Sequence, residues 1–396
     1  MRGGPLWWSS PLPPTRSGIA DYASEVLPHL AAAPVTLVAP PGWNPPSDAG
    51  AWAGGPIATA ESGPPPEARE LLHLGNNPYH LWIAGRLRRF GGIAVVHDLV
   101  LHHLLVEEAA ADDAWERFAA ELTAACGTSG GALARARRWG YASRLEPFLY
   151  PATQAYLRFA DGAVVHNAAA MRFLSEVLPE LPVVQVPLAV AALPSADRAE
   201  WRLRLRVAPR ELLLAHLGFL TPAKGLGSIV RALAALGELG VASRLLVVGE
   251  GLEGGELEEN VRRAGLAERV TLWGFASRED LGGLVAATDI GLVPRYPTAG
   301  ETSAAALRFL AAGVPVVVAG YRQFLELPPQ AALRIAPGRG GVTDLVRWAA
   351  ALSSNPERLA EAGRAARHAW EQGRHAPEQA ASALHRAVEM LAERVA

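Results

Sequence analysis

Residues 294–318 read PRYPTAGETSAAALRFLAAGVPVVV. The apolar run just before them, Ile290–Val293, predicts a buried strand that stops at Pro294. A Gly-containing loop then delivers Glu301, Thr302 and Ser303 to an Ala-rich helix expected over Thr302–Ala312. Gly313 ends that helix, and Pro315 lies in the next buried strand, Val314–Val318. A carboxylate and two hydroxyls at a helix N-terminus, beside strand ends, suit a sugar that carries an anionic tail. The unpaired helix N–H groups and the positive end of the dipole attract phosphate, and Glu301 can accept hydrogen bonds from sugar hydroxyls. The plainer alternative is a capped helix, with Thr302 or Ser303 as the cap and Glu301 favoured by the dipole.

The same alternation continues on both sides. Strands are expected at Leu212–Leu217, Arg244–Val248 and Val270–Trp273, with helices at Ile229–Leu239, Leu257–Ala264 and Leu281–Ala287 between and after them. Upstream, Leu6-Trp7-Trp8 is a short apolar run, Ile19–Leu30 has helical spacing, and Val35–Val38 reads as a strand. Leu71–Leu74, Ile93–Val96, Val164-Val165 and Val183–Val186 add further buried strands, while 41–66 reads as surface loop and 99–160 as helical throughout. Residues 188–208 carry a charge run without sheet features, and 357–396 are helical. Continuous apolar strands separated by amphipathic helices mean parallel sheets covered on both faces. The fold expected is α/β: two Rossmann-like, doubly wound domains facing across a cleft. The divisions are 1–188, a linker at 189–208, a second domain at 209–356, and C-terminal helices at 357–396.

Composition bounds the function. A chain of 396 residues is too long for one ordinary core, and its formal charge of −2 gives no global attraction to nucleic acid. The single cysteine, Cys126, precludes an internal disulfide and fits a reducing compartment. The N-terminus does not read as a secretory signal, and no segment reaches the roughly 20 apolar residues a membrane span needs. A cytoplasmic setting is expected. Trp7, Trp8, Trp43, Trp52 and the basic run at 135–144 leave peripheral contact with the inner membrane face open, although buried or scattered aromatics are the plainer reading. Oligomeric state is not legible.

Several loops could carry chemistry. Gly218, Thr221 and Lys224 follow the first strand of the second domain, where glycine allows close backbone approach and lysine offers a cation to phosphate. A solvated surface lysine is the alternative, and the spacing is not that of a P-loop. Gly249-Glu250-Gly251-Leu252-Glu253-Gly254 matches G-x-G-x-x-G, so a dehydrogenase has to be weighed. The motif follows the second strand of its domain, and the next strand ends at Gly274-Phe275 without a ribose-binding acid, which argues instead for a loop beside a nucleotide base. His73, His80, His97, His102 and His103 crowd toward the strand ends of the first domain. A metal held by His97, Asp98 and His102 is conceivable, but no His-x-x-x-His pair has a third obvious ligand. There is no G-x-S-x-G elbow and no Asp-x-Asp pair, so no hydrolase triad and no metal ligand set is expected. A neutral His97 at a strand end is better suited to donate a hydrogen bond to a hydroxylated ligand.

Taken in order, SPLPPTRSGIADY, LHLGNNPYH, VVHDLVLHH, HLGFLTPAKGL, VVGEGLEGGELE, RVTLWGF, ATDIGLVPR and GETSAAALRFLAAGVPVVV resemble the retaining glycosyltransferases of family 4, which have the GT-B fold. The resemblance runs nearly the whole length. It implies that Ser17 and Gly18 approach donor phosphate and acceptor, that His97 lies near the donor sugar, and that Lys224 contacts the diphosphate. It further implies that Glu301 binds the sugar and that the C-terminal helices partly return to the first domain. Three positions depart from the family pattern: the first glutamate of the usual pair falls at Gly300, so Glu301, one place on, takes the sugar-binding role after a small loop shift. Arg308 stands where a second glutamate is usual, and Phe219 where an arginine is frequent; Arg16, Arg295 or Arg322 could supply that cation. The implied activity is metal-independent, retaining transfer of a hexosyl group from a nucleotide-diphosphate sugar, with no separate cofactor. The acceptor would be a glycan, a lipid-linked saccharide or a small molecule. Two other classes stay open: a sugar-nucleotide epimerase or phosphorylase of the same fold, and a degenerate nucleotide-sugar-binding protein.

Overall fold

The structure is a computed structural model that describes residues 4–30, 35–47, 55–251 and 254–395. Trp52, Leu252 and Glu253, singled out above, lie outside the described residues. The chain forms two compact units. The first is Met1–Ala189 with Ala299–Thr302 and Pro377–Ala396, and the second is Val190–Thr298 with Ser303–Ala376.

In the first unit the described elements run β1 (Leu6–Ser9), α1 (Gly18–Val26), β2 (Val35–Ala39), β3 (Ile57–Thr59), β4 (Arg69–Leu74), α2 (Leu81–Phe90) and β5 (Ile93–Val96). They continue with α3 (His102–Ala111), α4 (Trp115–Arg138), α5 (Glu146–Leu149), α6 (Gln154–Leu157), β6 (Gly162–Val165), α7 (Ala168–Val177) and β7 (Val183–Gln185). The strands form one parallel sheet in the order β3-β2-β1-β4-β5-β6-β7. Leu72 pairs with Ala94, and Ala94 with Ala163, so fully buried residues stack across its centre. Two sequence expectations change here, and the plainer reading of Trp7 and Trp8 holds. The 41–66 loop contains the short edge strand β3. The 99–160 helix is broken: Asp113 and Gly140 take positive φ of 49° and 89°, and α4 itself bends at Gly127. Trp7 and Trp8 are buried in β1, which removes them from any membrane-facing surface.

The second unit holds α8 (Arg198–Arg204), β8 (Leu212–Leu217), α9 (Leu226–Glu238), β9 (Ser243–Val248), α10 (Gly254–Arg263), β10 (Val270–Gly274), α11 (Arg278–Ala287) and β11 (Ile290–Val293). It closes with α12 (Ala304–Ala311), β12 (Val316–Ala319), β13 (Ala332–Ile335), α13 (Gly341–Ser353) and α14 (Pro356–Gln372). Its parallel sheet has the order β10-β9-β8-β11-β12-β13. The first strand is therefore central, and the direction of winding reverses between β8 and β11, which is where loops part to admit a ligand. The expected linker is built into this unit. Asp289 pairs with both Arg198 and Arg202 of α8 and accepts the Leu213 amide at 2.7 Å. A Cβ at Gly283 would lie 1.8 Å from the Trp201 ring, so a bare glycine lets α8 pack on α11.

The last helix, α15 (Pro377–Val395), belongs to the first unit, where it meets α1, β6 and β7. Ala380, Leu384, Ala387, Val388 and Leu391 form its buried stripe at helical spacing. Among the described residues no helix is long and apolar enough to cross a membrane.

Candidate functional site

At the reversal point of the second sheet, the loop after β8 carries Gly218, Thr221 and Lys224. Gly218 has φ of +108°, which favours glycine, and an added Cβ there would lie 3.7 Å from the Lys224 Nζ. The lysine is thus drawn back over the loop glycine and is only 8% exposed, which argues against a solvated surface residue. Tyr296, in the loop after β11, donates its amide to the Ala223 carbonyl at 2.9 Å and joins the two switch-point loops.

His216 lies beneath them in β8, a polar residue within an otherwise apolar strand. Its Nδ1 donates to the Leu292 carbonyl at 3.0 Å, while its Nε2 is buried without a partner. Burial first, then the positive charges of Lys224 and Arg295, lower its pKa to about 3, so the ring is neutral. Lys224 and Arg295 therefore both lie within electrostatic reach of the neutral His216. Sequence reasoning named both cations separately and missed His216, whose signal was a lone imidazole in LLLAHL.

Helix α12 starts at Ala304 rather than Thr302. Ser303 is its N-cap and accepts the Ala306 amide at 3.3 Å, as the capped-helix alternative for that residue has it. Thr302 is engaged instead by Asn167, whose side-chain amide reaches Thr302 Oγ1 at 3.0 Å and the Gly300 carbonyl at 2.9 Å. Glu301 is buried between those two bonded neighbours. Glu301 and Thr302 fall in the first unit; Ser303, Lys224 and Arg295 fall in the second.

The glycines of the G-x-G-x-x-G motif have a packing reason. A Cβ at Gly249 would lie 2.2 Å from the Gly218 carbonyl oxygen, and one at Gly251 would lie 2.5 Å from that of Leu220. The Leu220 amide donates to Glu250 and that of Gly249 to Gly274, which extends the sheet beyond its strand ends. Phe275, next to Gly274, is 56% exposed, and Phe219 is 62% exposed.

In the first unit, Ser17 caps α1 by accepting the Ala20 amide at 3.1 Å, and a Cβ at Gly18 would meet no atom within 4 Å. No neighbouring atom excludes a side chain at Gly18, so the space over the start of α1 is open. His97 follows β5, where its Nε2 lies 3.0 Å from His73 Nδ1 and its ring is 5.1 Å from both Tyr22 and His166. Burial and the neighbouring imidazoles hold His73 and His97 well below the usual histidine range, so both rings are neutral. His80 joins this cluster, its Nδ1 donating to the His73 carbonyl at 2.8 Å, whereas His102 and His103 do not. His102 is buried with Nδ1 on the Tyr150 carbonyl and Nε2 on Glu146, and His103 is exposed. Asp98 accepts the Asn76 amide at 3.0 Å, so the conceivable His97–Asp98–His102 metal set is not assembled. Among the described residues no group of three or more His, Cys, Asp or Glu could hold a metal ion.

Comparisons with known proteins agree with this architecture. No curated protein is similar to the chain in sequence. Among solved structures, sucrose-phosphate synthase from Thermosynechococcus elongatus superposes with a TM-score of 0.69 at 16% identity, covering 99% of this chain and 100% of that one. A glycosyltransferase from Rickettsia africae gives 0.62 at 12% identity, covering 98% and 99% respectively. HepE from Anabaena, solved with UDP-glucose, gives 0.62 at 16% identity and covers 99% of both chains. These likenesses establish two parallel-sheet α/β domains of the GT-B kind. The family described as glycosyl transferases group 1 matches residues 211–355, from β8 through α13. Over those residues the chain carries a domain of the group 1 glycosyltransferases.

Proposed function

We propose that the protein transfers a hexosyl group from a nucleotide-diphosphate sugar to a saccharide, lipid-linked or small-molecule acceptor, with retention of anomeric configuration and without a metal. The observation that carries this reading is the buried Lys224 drawn over Gly218 in the loop after β8, with Arg295 on the neighbouring loop after β11, at the switch point of the domain that matches the group 1 glycosyl transferases. HepE, which shares the architecture, was solved with a donor of this class.

When the anomeric C–O bond breaks, the sugar becomes oxocarbenium-like and the leaving diphosphate gains charge. Fixed cations and helix N–H groups that meet this charge lower the barrier without reorganising. Lys224, Arg295 and the start of α12 take that role, which metal-dependent transferases give to a divalent ion. To Glu301 we assign the sugar hydroxyls, to His97 a hydrogen bond to the reacting sugar, and to Ser17 and Gly18 the acceptor side. The glycines at 249, 251 and 274 and the exposed Phe275 shape the loops beside the base.

A thermal-shift screen of nucleotide sugars identifies the donor, because a ligand of the native state raises its stability by mass action. Transfer is then assayed with that donor in excess EDTA. Transfer that persists, with the product keeping the anomeric configuration of the donor, supports the reading. Activity that EDTA abolishes and Mg²⁺ or Mn²⁺ restores, or isomerisation of the donor without transfer, overturns it.

A further inference from the structure

Two neutral imidazoles joined by one hydrogen bond share a single proton, and the surroundings decide which ring carries it. His73 Nδ1 and His97 Nε2 are 3.0 Å apart. His73 is fully buried, and its outer nitrogen, Nε2, has no hydrogen-bond partner. The centroid of the His73 ring lies 4.1 Å from that of Trp8, tilted by 36°, 5.3 Å from that of His97 and 5.7 Å from that of Tyr22.

If His97 were the donor, His73 would have to hold its own proton on that buried Nε2, with nothing to receive it. A buried N–H without an acceptor is rarer in folded proteins than an under-used acceptor. Two other histidines show which state this chain tolerates. His80 donates Nδ1–H to the His73 carbonyl at 2.8 Å, and His216 donates to Leu292 at 3.0 Å. A carbonyl can only accept, so each of these neutral rings leaves a bare, buried Nε2 lone pair. His73 fits the same pattern.

We infer that His73 is a positioning residue: by donating Nδ1–H to His97 Nε2 it fixes His97 in the Nδ1–H tautomer, with that N–H as the group offered to the ligand. His97 Nδ1 has no hydrogen-bond partner among the described residues, and the residue is half-buried, not buried. The ring is further held between Tyr22 and His166, so its direction as well as its protonation is set before ligand arrives. For the role of that donor the inference rests on the function proposed above.

The test has one arm that needs no activity. Long-range ¹H–¹⁵N correlation spectra of histidine-labelled protein distinguish protonated from bare ring nitrogens. The wild-type protein is expected to show His97 protonated on Nδ1 and bare on Nε2, and His73→Leu is expected to lose that single state. His97 protonated on Nε2 in the wild type, or a tautomer unchanged by His73→Leu, overturns the inference. In the kinetic arm, His73→Leu should lower kcat about tenfold or more with donor KM changed less than about threefold. His73→Asn, whose amide can donate from a similar position, should recover most of the loss. A folded His73→Leu with wild-type kcat overturns the positioning role. If the tautomer is as inferred but no donor is transferred, the proposed function fails and the assignment of the proton stands.

Discussion

Asn167 holds the two residues that flank Glu301. Its Nδ2 donates to the Gly300 carbonyl at 2.9 Å and to Thr302 Oγ1 at 3.0 Å, while its Oδ1 accepts the Ala170 amide at 2.7 Å and caps α7. One side chain therefore sets both a helix start and the carboxylate loop. Asn167→Asp keeps the cap but replaces the donor with an acceptor. It should cost roughly 1 kcal/mol of stability and weaken nucleotide-sugar binding about tenfold through Glu301. Asn167→Ala should lose roughly 1 kcal/mol more from the missing cap. Calorimetry checks this; wild-type donor affinity in the Asp variant would separate Asn167 from ligand binding.

Lys224 and Glu301 should divide the donor between them. Lys224→Ala is expected to weaken both the free nucleoside diphosphate and the whole nucleotide sugar. Glu301→Ala should weaken only the nucleotide sugar. Equal loss of the free diphosphate in both variants, or no loss in either, would refute the division. A surface lysine and a helix-start acid would instead show a stability change of about 1 kcal/mol at most with no ligand dependence.

Acid should destabilise the fold through its buried histidines. Folding lowers His80 to about 4 and His216 to about 3, and takes His73 and His97 well below their ordinary value. Between the unfolded value of about 6.5 and those folded values, the unfolded chain binds more protons, so stability falls as pH falls. It is greatest above that range. Urea midpoints from neutral pH down to about 4.5 should drop, and His80→Asn should shallow the slope. A midpoint that stays flat over this window would be inconsistent with neutral buried rings.

Glycines 249 and 251 differ in kind from Gly18. Alanine at 249 or 251 meets backbone oxygen at 2.2 or 2.5 Å and must hold a φ of +139° or +151°. Each should destabilise by more than about 1 kcal/mol and displace the 218–220 loop. Alanine at 18 meets nothing within 4 Å and should not destabilise the fold, so a loss of affinity there reports on ligand. Thermal unfolding combined with donor and acceptor titration distinguishes the cases; a melting point for Gly249→Ala equal to wild type would contradict the packing role.

The parallel sheets were legible because their strands are uninterrupted apolar runs such as Leu212–Leu217 and Ile290–Val293, whose pattern survives without any tertiary information. Strand β3 was not, because Ile57 is an exposed edge residue, and its three-residue run sits among prolines and glycines. The start of α12 shifted because Thr302 and Ser303 could each have capped it; Ser303 does so, while Asn167, distant in sequence, engages Thr302 in the loop. Likewise His97 could be picked from its place after a strand. Its partners Tyr22, His73 and His166 come from other strands and helices, and only the sheet order brings them to one end. Buried polar pairings are set by topology, which local pattern does not encode.

The first unit is completed by the far end of the chain. Leu391 of α15 sits against Gly162 at the start of β6, and the other buried residues of that helix share its face. A nascent chain leaves the ribosome N-terminus first, so the seven strands of this unit emerge well before the helix that covers part of them. During that interval apolar surface near β6 and β7 stays uncovered and open to chaperones or to self-association. Recombinant fragments ending before Pro377 should inherit the same problem permanently, and the α15 peptide supplied in trans is the natural remedy.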